Sequence, residues 1–148
     1  MNFEITVVVE IPIGSRYKYE VDKNTGNLVV DRPLDLRMPY NYGYVPNTLH
    51  ADGDPLDVCI IGCHPIYPMT KVKVKLIGAL KCTDNGCSDD KLLAVVVGED
   101  CLDQNISIKE VKSYLSIYKL GFTVVEQVGA EEAYRILMQD VETYQNAE

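Results

Sequence analysis

Up to residue 97 the chain is a succession of short alternating segments. Phe3, Ile5, Val7, Val9 and Ile11 fall on one side of an extended stretch, and Glu4, Thr6, Val8 and Glu10 on the other. That period of two is the mark of a half-buried strand. Pro12-Ile13-Gly14-Ser15 interrupts it. Alternation resumes from Arg16 to Val21, with Tyr17, Tyr19 and Val21 opposite Arg16, Lys18 and Glu20. A polar turn over 22–27 leads to Leu28–Asp31, which predicts a hairpin. Arg32–Pro39 is irregular, and the aromatic run Tyr40-Asn41-Tyr42-Gly43-Tyr44-Val45 reads as extended. Val58–Ile61 and Leu92–Val97 read as buried strands. Between them lies a long strand, Lys71–Leu80, with Lys71, Lys73 and Lys75 outward and Val72, Val74 and Leu76 inward. Thr83–Asp90 reads as a polar loop.

Helical periodicity is confined to the end of the chain. Ser107-x-x-Glu110 is a capping box, which predicts a helix start there. Ile108, Val111, Tyr114, Leu115 and Tyr118 then form one apolar arc. Phe122–Val128 reads as an extended return, and Gly129 opens a second helix. Its stripe is Ala130, Ala133, Tyr134, Leu137, Val141 and Tyr144, with Glu131 and Arg135 as an i,i+4 pair. No repeat or linker divides the chain, so residues 1–148 are expected to form one domain. Many short strands followed by two helices predict a mainly β, α+β fold: a closed or nearly closed antiparallel barrel with both helices packed on it.

Composition narrows the function classes. A hydrophobic content of 47% and a charged content of 24% are ordinary for a soluble globular chain. No apolar run approaches the roughly 20 residues of a membrane span. The first residues lack a basic region followed by an apolar stretch, so a cytoplasmic protein is expected. The net charge of −8 argues against nucleic acid or an anionic membrane as partner. An anionic substrate would need bound cations or a local basic patch. Five cysteines (Cys59, Cys63, Cys82, Cys87, Cys101) are an odd number, consistent with reduced thiols. Cys59-x-x-x-Cys63 has no matching second pair, which argues against a zinc site built on it.

The strongest chemical signal is Asp52-Gly53-Asp54-Pro55-Leu56-Asp57, three carboxylates at the mouth of an apolar strand. Such charges repel unless a cation lies among them, and oxygen ligands suit Mg²⁺, Mn²⁺ or Ca²⁺. An acidic surface turn uses the same residue types. A second acidic loop, Asp84 to Lys91, also precedes a buried strand. Two such loops at one end of a barrel would share metals. An EF-hand loop fails on spacing: counted from Asp52, the required Gly is Asp57 and the bidentate Glu is Cys63. Lys18, Arg32, Lys91, Lys119, Tyr42 and Tyr118 are candidate phosphate binders. Each also has a plain role as a solvent-facing cation, a helix C-terminal cation or a core aromatic. Three functions are open on this footing: a hydrolase of phosphoanhydrides, a metal-binding barrel without catalysis, and an OB-like nucleic-acid binder stacking bases on its tyrosines.

Together these residues resemble the family I soluble inorganic pyrophosphatases. The family signature stands here as Asp52-Gly53-Asp54-Pro55-Leu56-Asp57-Val58. Glu10-Ile11-Pro12, Lys18-Tyr19-Glu20, Asp31-Arg32, Tyr40 to Tyr44, Asp84 with Asp89-Asp90-Lys91, and Tyr118-Lys119 match further family segments. Leu93–Ile106 and the last helix match only in pattern, and the chain is short for the family. The resemblance implies an OB-like five-stranded barrel and Mg²⁺-dependent hydrolysis of pyrophosphate to two phosphates, driving pyrophosphate-releasing biosynthesis, with Mn²⁺ as a substitute. It implies that Asp52, Asp57 and Asp89 hold the tightest metal and that Asp57 bridges to a second. Asp84 and Asp89 would hold a metal arriving with substrate, and Glu10 would help bind a further one. Asp54 would be the general base, while Lys18, Arg32, Tyr42, Lys91, Tyr118 and Lys119 would bind phosphate. A homo-oligomer, with a hexamer favoured, is part of the same implication.

Overall fold

Pairing in the chain is governed by a ring that cannot alternate direction throughout. A computed structural model describes residues 3–22, 24–99 and 104–147. In chain order its elements are β1 (Glu4–Ile11), β2 (Tyr17–Val21), β3 (Leu28–Pro33), β4 (Asn41–Tyr44), β5 (Asp57–Ile60), β6 (Lys71–Asp84), β7 (Cys87–Ser88), β8 (Lys91–Val96), α1 (Gln104–Ile117), β9 (Phe122–Gly129) and α2 (Ala130–Asn146). Lys23 of the predicted turn and Cys101 lie outside the described residues.

The sheet runs β1-β4-β5-β8-β6, and β6 pairs back with β1, so five strands close a barrel as expected. The contacts β5–β4, β4–β1, β1–β6 and β6–β8 are all antiparallel. Each reverses the strand direction, and an even number of reversals restores it. The fifth contact, β5 with β8, is therefore parallel. No five-membered ring can be antiparallel throughout. β6 outruns the ring and carries β7 and β9 along its far portion. The β2–β3 hairpin forms a separate two-stranded sheet.

β5 and β8 read as continuous apolar runs because both their faces are covered. Val58, Ile60, Leu92 and Ala94 join one core cluster with Ala133 and Leu137 of α2. Cys59, Ile61, Leu93 and Val95 join a second with Val111 and Leu115 of α1. Each Val, Leu or Ile side chain among them contributes about 1.5–3 kcal/mol by leaving water. α2 itself packs along β6 and β9, and α1 along β9, so each helix closes one of the two clusters.

Local differences from the sequence pattern have local causes. α1 begins at Gln104, one turn ahead of the Ser107 capping box. Such a pair marks a start only where the chain before it leaves helical geometry, and here it does not. Arg135 pairs with Glu132 at 2.8 Å, not with Glu131. Glu132 also faces Lys81 of β6 at 3.7 Å, so two cations converge on it. The expected loop 83–90 is a tight hairpin. Asn85 and Gly86 take φ values of 51° and 84°, the two left-handed positions of a type I′ turn.

Candidate active site

The parallel pair decides where the acids go. Asp57 opens β5, Lys91 opens β8, and the register sets them side by side. The loop before Asp57 is held by hydrogen bonds within its own segment. The Thr48 hydroxyl accepts the Leu56 N–H at 2.9 Å and donates to the Val45 carbonyl at 2.6 Å. The His50 N–H reaches the Asp54 carbonyl at 2.8 Å, and the Gly53 N–H reaches the His50 carbonyl at 3.0 Å. Gly53 sits at φ 88°, a left-handed position that favours glycine. Asp52 Oδ1 accepts the Asp54 N–H at 3.0 Å, which orients its carboxylate.

The second acidic loop is pinned just as closely. The Asp89 N–H donates to the Cys82 carbonyl at 2.9 Å, and Asp90 Oδ1 accepts the Cys82 N–H at 3.0 Å. As a result, carboxylate oxygens of Asp52, Asp57 and Asp89 lie within 4.8 Å of one another. They line a cleft of about 650 Å³. Every residue named from the sequence as a candidate lines this cleft except Glu10. Glu10 stands close enough on β1 to feel the charges of Asp57, Asp54 and Lys18.

Lys91 is the electrostatic centre of the site. Only 4% of its side chain is exposed, and its Nζ lies 2.6 Å from Asp57 Oδ2 and 3.1 Å from Asp89 Oδ1. It also sits 5.7 Å over the rings of Tyr42 and Phe122. Burial alone would lower its pKa, but Asp57 and Asp89 outweigh it and raise the value well above the ordinary lysine range. Burial pushes the Asp57 carboxyl upward, with Lys91 opposing. Burial, then the charge of Asp57, raises Glu10. Burial also raises Asp52. Burial and then the neighbouring Asp57 hold Tyr42 well above its usual value, so its hydroxyl stays protonated beside that carboxylate. Burial pushes Tyr118 up to about 12. The acids resist being charged together unless more positive charge arrives.

The rim supplies the outer cations. Lys18 and Arg32 are cross-strand partners in the β2–β3 hairpin, and Lys18 lies 3.5 Å from Asp31. Lys119 reaches Asp84 at 2.6 Å. The Asn85 N–H donates to the Gly121 carbonyl at 2.9 Å, fastening the turn after α1 to the second acidic loop. Tyr118 is stacked on Tyr114 with centroids 5.6 Å apart and meets the edge of Phe122 at 5.1 Å.

Sequence reasoning missed the support behind these loops. His50 and Asp140 are buried, and His50 Nδ1 lies 2.6 Å from Asp140 Oδ2. His50 Nε2 accepts the Asp90 N–H at 3.1 Å, so the ring proton is on Nδ1 and points at Asp140. One imidazole thereby joins both acidic loops to α2. The signal was present: Asp140 shares the buried stripe of α2 with Ala133 and Leu137, and a polar residue there requires a partner.

The fold is shared with solved inorganic pyrophosphatases. An inorganic pyrophosphatase from Neisseria gonorrhoeae superposes with a TM-score of 0.85 at 30% identity, covering 96% of this chain and 91% of that one. The enzyme from Helicobacter pylori gives 0.83 at 31%, covering 96% and 94%. The sequence pattern of the family described as inorganic pyrophosphatase matches residues 7–145. Soluble inorganic pyrophosphatase 2 of Chlamydomonas reinhardtii is 39% identical over 97% of this chain and 82% of its own length. The inorganic pyrophosphatase of Xanthomonas campestris is 40% identical over 95% and 89%. The chain belongs to the inorganic pyrophosphatase family.

Proposed function

We propose that residues 1–148 act as one pyrophosphatase domain that hydrolyses pyrophosphate to two phosphates with Mg²⁺, or Mn²⁺ in its place. The observation that carries this reading is the Asp52–Asp57–Asp89 cluster inside a cleft ringed by Lys18, Arg32, Lys91 and Lys119. The cluster offers only carboxylate oxygens, a donor set for a hard cation. Asp52, Asp57 and Asp89 would hold the tightest ion, Asp57 bridging to a second. Asp84 with Asp89 would hold an ion arriving with substrate, and Glu10 would assist a further one. Bound Mg²⁺ supplies positive charge to offset the phosphates and lowers the pKa of water.

The chain's own groups do the rest. Asp54 is exposed at the cleft, outside the Lys91 pairing, and takes the proton of the attacking water. The water oxygen bonds to one phosphorus, and the bridging oxygen leaves with the other phosphate. Arg32 and Lys18 grip from the hairpin side and Lys119 with Tyr118 from the α1 side. The Lys91 ammonium and the Tyr42 hydroxyl are fixed donors before substrate arrives, so they need no reorganisation as charge builds on the leaving phosphate.

A homo-oligomer, hexamer favoured, and a cytoplasmic location belong to the same proposal. Val125 on β9 is 63% exposed, and β9 pairs only with β6 among the described strands, which supports cover by a second copy. The Chlamydomonas relative is named a soluble enzyme. Among the described residues no helix is long and apolar enough to cross a membrane. The substrate assignment is tested by offering pyrophosphate, a nucleoside triphosphate and a linear polyphosphate at equal Mg²⁺. Pyrophosphate is expected to have the highest kcat/KM, and a higher value for either rival would move the assignment to another phosphoanhydride.

A further inference from the structure

We infer that Cys63, His64 and Glu99 form a second metal site, for a borderline or soft divalent cation of the zinc class. Their ligand atoms all lie within 4.8 Å of one another. The parallel β5–β8 pair explains why they meet. Both strands start at the cleft, with Asp57 and Lys91, so both end together at the opposite end. Cys63 and His64 follow β5, and Glu99 follows β8. The Ile61 N–H to Ala94 carbonyl bond, at 2.8 Å, continues the pairing past β5 toward this end.

The backbone on both sides is already set. Cys63 and His64 lie in a bend, so neighbouring side chains can turn to one point. Asn41 is buried, and its Nδ2 donates to the His64 carbonyl at 3.0 Å. Its Oδ1 accepts the N–H groups of Ile66 at 3.0 Å and Ile13 at 2.9 Å. Gly98, at φ 84°, makes the turn that presents Glu99, whose N–H donates to the Val96 carbonyl at 3.1 Å.

Donor chemistry separates this site from the cleft. Thiolate, imidazole and carboxylate together suit Zn²⁺ and its neighbours, while the cleft cluster is all oxygen. Ligand bonds of about 2.0–2.3 Å in a tetrahedron place donor atoms about 3.5 Å apart. Cys63 and His64 are exposed and Glu99 half-exposed, so their rotamers can close that gap. Three protein donors leave the fourth position to water. A bound ion would clip the segment after β5 to the segment after β8, at the far end of the strand pair that carries Asp57 and Lys91.

The test uses Co²⁺ added to full-length, reduced protein in excess Mg²⁺, which competes for the oxygen cluster. One equivalent is expected to give a thiolate-to-cobalt absorption band that added Zn²⁺ displaces. Cys63→Ala should abolish the band while Mg²⁺-dependent phosphate release persists, showing that the variant is folded. His64→Ala and Glu99→Gln should each weaken binding at least about tenfold, the loss already typical of outer-shell partners. Cys87→Ala should keep the band. Absence of the band from the folded wild type, or its survival in Cys63→Ala, would overturn the site. A band indifferent to both His64→Ala and Glu99→Gln would equally overturn it, as a lone-thiol adduct.

Discussion

Replacing Lys91 by methionine tests the electrostatic reading of the cleft most sharply. Methionine keeps most of the volume and removes the charge. The ammonium lies 2.6 Å from Asp57 and 3.1 Å from Asp89, with 4% of its side chain exposed. Removing one partner of so buried a cluster leaves uncompensated charge and costs about 3–5 kcal/mol. Two conditions should shrink that cost. First, burial already raises the Asp57 pKa, and Lys91 is the group opposing that rise. Without it the folded-state pKa climbs further above the unfolded value. A raised carboxyl pKa makes the native form relatively more stable in acid and less stable as pH rises through it. The variant's deficit should therefore be full near pH 8 and smaller near pH 5. Secondly, Mg²⁺ in the cleft would replace the missing charge, so it should stabilise Lys91→Met more than wild type. Urea unfolding at both pH values, with and without Mg²⁺, measures all of this. An equal deficit under every condition, or one below about 1 kcal/mol, would refute Lys91 as the internal counter-ion.

Other substitutions separate the roles. Asp57→Asn is expected to lower Mg²⁺-dependent turnover by about a hundredfold or more while circular dichroism stays unchanged; phosphate release at the wild-type rate would remove Asp57 from metal bridging. Lys18→Ala should raise KM about tenfold with little change in kcat, and unfolding should show that its exposed pair with Asp31 contributes under about 1 kcal/mol. A large fall in kcat at constant KM would contradict a simple substrate clamp. Asp140→Ala strands the buried His50 N–H and should cost about 1–3 kcal/mol by urea unfolding. Unchanged stability would mean that the His50–Asp140 link does not tie α2 to the acidic loops.

The strands were legible because period two survives wherever one face meets solvent, as in β1 and the lysine half of β6. Asp52 to Asp57 was legible because its residue types conflict with the apolar strand they precede. The parallel step between β5 and β8 was not, since periodicity carries no direction; it follows only from closing a ring of five. The hairpin at Asn85-Gly86 had its signal in the sequence, but the surrounding acids disguised it as a loop. His50 with Asp140, and Cys63 with His64 and Glu99, join segments far apart in the chain. Each residue alone looks ordinary. Only the fold brings their partners within reach.

On this reading the acidic cleft becomes a pyrophosphate-cleaving site when Mg²⁺ enters it. Phosphate release from pyrophosphate by the purified protein, with Mg²⁺ and again in its absence with chelator, tests this most directly. Two phosphates are expected per pyrophosphate consumed, with release that stops on chelation and returns when Mg²⁺ is restored. A folded protein that binds Mg²⁺ yet releases no phosphate, or one that releases it equally well without the metal, would contradict it.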